Sequence, residues 1–239
     1  MCIRDRFDEA VDVIRSAFEN EQFKFAGRHY TFPPPGIPDR GGYVEHLTLV
    51  PRPRHPVEWW QAVTSPPTLE AAPRKGFGAV FWLKHHDVVR TWWERYGDLY
   101  ATHQGDELAA GEKRMLVVSY RIGDSREKAV ASVRAGHDEF WKFLGPYGWS
   151  RGYRSPDGSA MPAGRIPTLE ESLDNRTWLV GTAADVAEGI DAYRHELGGL
   201  SELCLFPNMP GDPYELTGEQ LVRYAEEVRP LLGLRDVSR

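Results

Sequence analysis

The chain has 239 residues, of which 41% are hydrophobic and 27% charged, values that are ordinary for a globular domain. Its formal net charge of −6 and the lack of any long basic run argue against a nucleic-acid-binding surface. No apolar stretch approaches the roughly 18 residues of a membrane span, and Cys2 and Cys204 give neither a disulfide framework nor a metal-binding spacing, so we expect a cytoplasmic protein.

The first six residues do not resemble the start of a domain. Residues 1–6 are similar to the translation of a transposon-end adapter used in preparing sequencing libraries, and such segments are excluded from fold reasoning. A short basic leader before the first helix is the alternative. We therefore interpret 7–239 as the C-terminal part of a single domain, whose preceding part is not in the sequence.

Apolar residues at helical spacing predict a first helix over about 7–20. An extended excursion around Gly27 and a proline-rich passage over 33–56 follow. Beyond them, apolar runs alternate with amphipathic patterns. The predicted strands are 57–63, 77–83, 115–120 and 202–206.

Helices are predicted after each of these strands. The first passes through Thr68 and stops near Gly76, and the second covers about 87–100. The remaining predicted helix starts are capping pairs, three residues apart: Asp124 with Glu127, Thr182 with Asp185, and Thr217 with Gln220. The polar segment 145–176 is too long for an ordinary connector, so we expect either a functional cover or disorder there.

Alternating strands and helices predict an α/β fold with a parallel sheet and right-handed crossovers. Four such units make half of a (β/α)8 TIM barrel. We therefore expect a partial barrel of about four C-terminal βα units, open rather than closed, with an uncovered strand edge.

Several segments, in this order and spacing, resemble the luciferase-like flavin monooxygenase family of TIM-barrel oxidoreductases. They are Arg6 to Glu9, Phe25 to Tyr30, Thr64 to Ala72, Val180 to Val186 and Tyr224 to Pro230. The resemblance covers 7–233 and implies that the chain corresponds to the helix after barrel strand four through helix eight. Barrel strands one to four would be absent, so the chain alone is expected to be inactive.

The resemblance also implies an activity. In this family reduced FMN, usually delivered by a partner flavin reductase, reacts with oxygen to oxidise a small organic substrate. A deazaflavin (F420)-dependent reductase or dehydrogenase of the same fold is one alternative, and a flavin-binding protein without turnover is another. We expect the full-length enzyme to be a homo-oligomer.

One strand end is suited to binding an anion. Ser65 follows the first predicted strand and starts a helix, so its hydroxyl and the free amides of Ser65, Thr68 and Leu69 can face an anion. Pro66 and Pro67 have no amide hydrogens to offer. A helix cap is the alternative role of Ser65. The family resemblance implies that Ser65 and Thr68 bind the FMN phosphate.

Other candidates lie at the remaining strand ends. His85 and His86 are candidates for a substrate pocket, although their position before Asp87 is more typical of a helix N-cap than of a metal site. Arg121 can meet a substrate anion or pair with Asp124 or Glu127. Asn208 is placed to contact the flavin or a lid. The catalytic residues remain unidentified, and no metal is expected.

Overall fold

The computed structural model describes residues 3–234 of the chain, which divide after Val57 into two compact units. Met1 and Cys2 of the predicted adapter segment, and residues 235–239, lie outside the described residues.

The first unit contains one helix and two antiparallel pairs of very short strands. Its elements are α1 (Ile3–Glu19), β1 (Phe25–Ala26) paired with β2 (Thr31–Phe32), and β3 (Pro38–Asp39) paired with β4 (Gly42–Tyr43). The helix predicted over 7–20 is confirmed and begins four residues earlier. The carboxylate of Glu9 accepts hydrogen bonds from the amides of Arg28, His29 and Tyr30 at 3.1, 2.7 and 2.7 Å. These bonds fix the turn between β1 and β2 against α1.

The second unit is an α/β domain. Its elements, in chain order, are β5 (Trp60–Ala62), α2 (Pro66–Arg74), β6 (Gly78–Trp82), α3 (His86–Gln104), β7 (Arg114–Ile122), α4 (Arg126–Leu144), α5 (Leu169–Asp174), β8 (Trp178–Gly181), α6 (Ala183–Glu196), β9 (Glu202–Phe206) and α7 (Tyr214–Arg223), which continues as a π-helical turn over Tyr224–Val228.

The central sheet is parallel, as predicted. β6 pairs with β5 and β7, and β7 pairs also with β8 and β9. The Ala79 amide bonds to the Lys113 carbonyl of the chain entering β7, and the Ser119 amide bonds to Thr177 at the start of β8. In a parallel strand, alternate residues form their backbone hydrogen bonds to opposite neighbouring strands. Residues 113 and 119 are six positions apart, so both bond across the same edge of β7. β8 therefore continues along the same edge of β7 as β6, and β9 takes the other edge.

The sheet thus has five strands rather than the predicted four. β8 was not predicted because it has only four residues, all of them buried, and shows no alternation of apolar and polar residues. Without β8, the order β5-β6-β7-β9 follows the predicted strands along the chain, as consecutive barrel strands would.

Two predicted helix starts are wrong and one is confirmed. Ser125, not Asp124, caps α4, because its hydroxyl accepts the Lys128 amide at 3.3 Å. The last helix begins at Tyr214 rather than near Thr217, following Pro213, whose backbone is extended. Thr182 and Asp185 form the predicted reciprocal cap of α6.

The segment 145–176 is folded and packed. It forms two 3-10 turns, Gly145–Tyr147 and Trp149–Gly152, before α5. Its residues Tyr153 and Met161 are buried in one apolar cluster with Leu83, Trp141 and Leu144. The expectation of disorder is therefore wrong, and the alternative, a functional cover, stays a prediction. Among the described helices, none combines the length and the apolar character that crossing a membrane requires.

Candidate functional site

A cavity of about 280 Å³ opens where β5 and β6 end. In parallel α/β folds, the carboxyl ends of the strands are where ligands bind. We call it the strand-end cavity. Its lining residues are Thr64, Ser65, Trp82, Leu83, Lys84, Tyr147, Gly148, Trp149, Arg151 and Gly152.

The turn from β5 into α2 lines this cavity with two residues, Thr64 and Ser65. Ser65 is the N-cap residue of α2, with extended backbone angles of φ −147° and ψ 158°. The amides of Thr68 and Leu69 both donate to its carbonyl at 3.0 Å. Thr68 Oγ1 accepts the amides of Thr64 and Ser65 at 3.1 and 3.0 Å. The three predicted amide donors are therefore engaged within the turn, and neither Thr68 nor Leu69 lines the cavity.

The Ser65 hydroxyl is bound less firmly. Ser65 and Thr68 form the capping box of α2, which supports the helix-cap role of Ser65, and the Ser65 hydroxyl lies at a long distance of 3.3 Å from Thr68 Oγ1. Since Thr68 Oγ1 donates its own hydrogen to the Ser65 carbonyl at 2.8 Å, the contact needs the Ser65 hydroxyl as donor. Of the three predicted phosphate ligands, Ser65 is thus the one that lines the cavity.

Lys84 lies beside Ser65 in the same cavity. It follows Leu83, which has the left-handed φ of 53° that non-glycine residues rarely adopt. The Lys84 residue is 6% exposed. Its Nζ donates to the Thr64 carbonyl at 3.3 Å and lies 4.3 Å from the centroid of the Trp92 ring. Burial lowers the pKa of this ammonium to about 8.

Aromatic side chains form the apolar wall of the cavity. The Trp82 ring stacks on Phe206 at the end of β9, with centroids 5.7 Å apart, and meets Trp149 at 5.5 Å. Residues of the turn Trp149–Gly152 also line the cavity, and the Gly152 carbonyl accepts the His85 amide at 2.8 Å. The lining therefore combines aromatic residues with two cationic residues, Lys84 and Arg151.

The two histidines after β6 do not join this cavity. His85 Nδ1 accepts the Asp87 amide at 3.1 Å and so caps α3. His86 Nδ1 contacts the guanidinium of Arg176 and lies 3.6 Å from a carboxylate oxygen of Glu196. Burial, followed by their cationic neighbours, lowers the pKa of both imidazoles. The N-cap interpretation of His85 is confirmed.

His85, His86 and Asp87 place potential metal-ligand atoms within 4.8 Å of one another. The Asp87 amide and the Arg176 guanidinium, however, already use the two Nδ1 atoms. His85 and Asp87 line a second, larger cavity of about 570 Å³, which Arg154, Glu171 and Asp174 share. His86 is not among its lining residues.

Arg121 and Asn208 lie away from both cavities. Arg121 is 1% exposed and forms an ion pair with Asp212. An Asp212 oxygen also accepts the Met209 amide at 2.7 Å. The partner of Arg121 is therefore Asp212, and the expected pairing with Asp124 or Glu127 is wrong. Asn208 is exposed in the loop after β9.

Sequence reasoning missed Lys84 and Arg151, the two cations that line the strand-end cavity. Lys84 follows the apolar run of β6 by two positions, and a lysine close to the end of a predicted strand can be recognised in the sequence as a candidate site residue. Arg151 carried no such signal, because it lies in the polar segment 145–176, whose packing was not predicted.

Several solved structures of known proteins superpose on this chain. A monooxygenase, RslO1 from Streptomyces bottropensis, superposes with a TM-score of 0.66 at 21% identity, over 95% of this chain and 61% of that one. The oxygenating constituent of 3,6-diketocamphane monooxygenase from Pseudomonas putida, solved in complex with FMN, gives 0.71 at 18% identity, over 97% and 64%. An F420-dependent secondary alcohol dehydrogenase gives 0.59 at 15% identity, over 99% and 64%.

These likenesses establish the α/β fold, and this chain spans less than two thirds of the length of each neighbour. No curated protein sequence matches the chain. The sequence model of the luciferase-like monooxygenases matches residues 3–201, most of the chain, and confirms the resemblance described above. The chain belongs to the luciferase-like monooxygenase family.

Proposed function

We propose that the chain is the flavin-phosphate-binding part of an FMN-dependent monooxygenase, arranged as about four C-terminal βα units of an open, partial TIM barrel. The observation that carries this proposal is the lining of the strand-end cavity, where the hydroxyl of Ser65 and the cations Lys84 and Arg151 meet without a lining carboxylate. Such a set of donors fits a phosphate group.

When bound, FMN would supply the redox chemistry, while the protein supplies position and exclusion of water. In this proposal Ser65, Lys84 and Arg151 hold the phosphate, and the segment 145–176 covers the strand ends as a lid.

An F420-dependent dehydrogenase is the second candidate, because a protein of that activity is among the structural neighbours. Both cofactors carry a phosphate, so the same cavity serves either. Titration of the chain with FMN and with F420 separates the two candidates. A flavin-binding protein without turnover is the third candidate. A flavin reductase partner, a small organic substrate and homo-oligomer formation remain predictions for the full-length enzyme.

The test replaces Ser65 with alanine and compares FMN with riboflavin, which has no phosphate. A hydrogen bond to a charged group contributes about 1.5–3 kcal/mol, so Ser65→Ala should weaken FMN binding at least tenfold and leave riboflavin binding within about twofold. Ser125→Ala is the matched control, because it removes the N-cap of α4, which is not part of the cavity lining. Equal losses of both ligands in Ser65→Ala would make Ser65 a structural cap only.

A further inference from the structure

We propose that Lys84 is the counter-charge for a phosphate monoester bound in the strand-end cavity beside Ser65. This role deepens the proposed function and depends on it only for the identity of the ligand as FMN. Nothing in the family resemblance pointed to this lysine, and its assignment rests on where its ammonium lies.

The first observation is a buried cation without an anion. Lys84 is 6% exposed, and no carboxylate among residues 3–234 lies within 4.0 Å of its Nζ. Its contacts are the neutral Thr64 carbonyl at 3.3 Å and the Trp92 ring at 4.3 Å. Burying an ammonium costs several kcal/mol unless an opposite charge compensates it. A bound anion would supply that charge.

The second observation is where the ammonium meets other donors. The Lys84 ammonium bonds to the carbonyl of Thr64, the residue directly before Ser65, and Lys84, Thr64 and Ser65 all line the cavity. Arg151, in the turn Trp149–Gly152, lines it as well. The N-terminus of the nine-residue α2 adds a partial positive charge there. Several donors in one cavity suit the oxygens of a phosphate monoester.

Binding of such an anion should be linked to protonation of Lys84. The titratable groups that line the cavity with it are Arg151 and Tyr147, while the adjacent His85 faces the larger cavity. Because burial lowers its pKa to about 8, Lys84 is partly neutral at pH 8. A bound dianion stabilises the ammonium, so the protein should take up a fraction of a proton per phosphate at this pH.

The experiment is calorimetric titration of the 239-residue chain at pH 8 in two buffers of different ionisation enthalpy, with FMN, riboflavin and inorganic phosphate. The variants are Lys84→Met, Lys84→Arg and, as an exposed control, Lys128→Met. We expect FMN to bind at least tenfold more weakly to Lys84→Met and within about threefold of wild type to Lys84→Arg. Proton uptake should be lost in both variants at position 84 and kept in the control.

The outcomes separate this role from the proposed function. Wild-type chain that binds inorganic phosphate with proton uptake, but shows no preference for FMN over riboflavin, supports the role of Lys84 and contradicts the flavin assignment. FMN binding that is unchanged in Lys84→Met overturns the role of Lys84 and leaves the flavin assignment standing. The role of Lys84 is also overturned if the wild-type chain takes up no proton on binding, or if it binds neither FMN nor inorganic phosphate. These two results do not depend on the folding of any variant.

Discussion

The hydroxyl of Thr68 accepts the amide of Ser65 at 3.0 Å and donates to the carbonyl of the same residue at 2.8 Å. It accepts the Thr64 amide as well, at 3.1 Å. Thr68 therefore holds the turn between β5 and α2 in shape, whereas Ser65 lines the cavity and Thr68 does not. Two hydroxyl residues three positions apart thus lie in different surroundings.

This difference predicts a structural effect of Thr68→Ala. The variant leaves two turn amides without their acceptor, so the free energy of unfolding should fall by about 1 kcal/mol, as for a lost helix cap. Urea denaturation measures it. Thr68→Ser keeps the hydroxyl and should lose less than half as much. If Thr68→Ala weakens FMN binding tenfold with unchanged stability and riboflavin binding, Thr68 is a phosphate ligand instead.

Gly152 predicts a second effect, on the contact between the turn Trp149–Gly152 and the end of β6. A Cβ built on Gly152 would overlap the carbonyl oxygen of Leu83, which is main chain and has little room to move. We expect Gly152→Ala to lower the free energy of unfolding by about 1–3 kcal/mol. Gly218→Ala is the control, since its Cβ meets nothing within 4 Å and it lies in α7, where alanine favours the helix. Equal stability of the two variants in thermal denaturation would contradict this packing.

Local signals explain what the sequence alone could predict. β9 is an apolar run bounded by Gly198 and Gly199, and Ser65 stands at a junction of strand and helix, so neighbouring residues suffice to place both. Lys84 packs close to Gly152, more than 60 positions later, and Arg121 pairs with a carboxylate 91 positions away. Such contacts depend on tertiary packing, which no window of sequence contains.

The buried pair of Arg121 and Asp212 predicts a large loss when one partner is removed. In Asp212→Asn the guanidinium of Arg121, a residue that is 1% exposed, loses its carboxylate, and uncompensated buried charges cost about 3–5 kcal/mol. The exposed pair of Arg95 and Glu70, 3.3 Å apart, is the control, and Glu70→Gln should cost less than about 1 kcal/mol. Combining Arg121→Met with Asp212→Leu should recover part of the stability lost in Asp212→Asn. Equal effects at both pairs would contradict this account.

The last prediction concerns pH and His137, a fully buried residue of α4. His137 Nε2 lies 2.8 Å from the hydroxyl of Ser172 in α5, and its ring meets Trp178 edge-on at 4.9 Å. Burial lowers its pKa from 6.5, against the opposing effect of the carboxylates of Asp138 and Glu170. The residue thus joins α4 and α5 while its ring is neutral.

The direction of the pH effect follows from where the proton binds. Above pH 6.5 the imidazole is neutral in both folded and unfolded chains. As the pH falls below 6.5, the unfolded chain binds a proton that the folded chain does not, so the free energy of unfolding decreases until the pH reaches the lowered pKa of the folded state. Urea denaturation at pH 7.5 and pH 5.0 should therefore show a larger loss for wild type than for His137→Gln. As a control, replacing the exposed His103 with glutamine should leave this loss of free energy of unfolding as large as in wild type. If His137→Gln shows the same loss as wild type, the contact of His137 with Ser172 does not respond to pH.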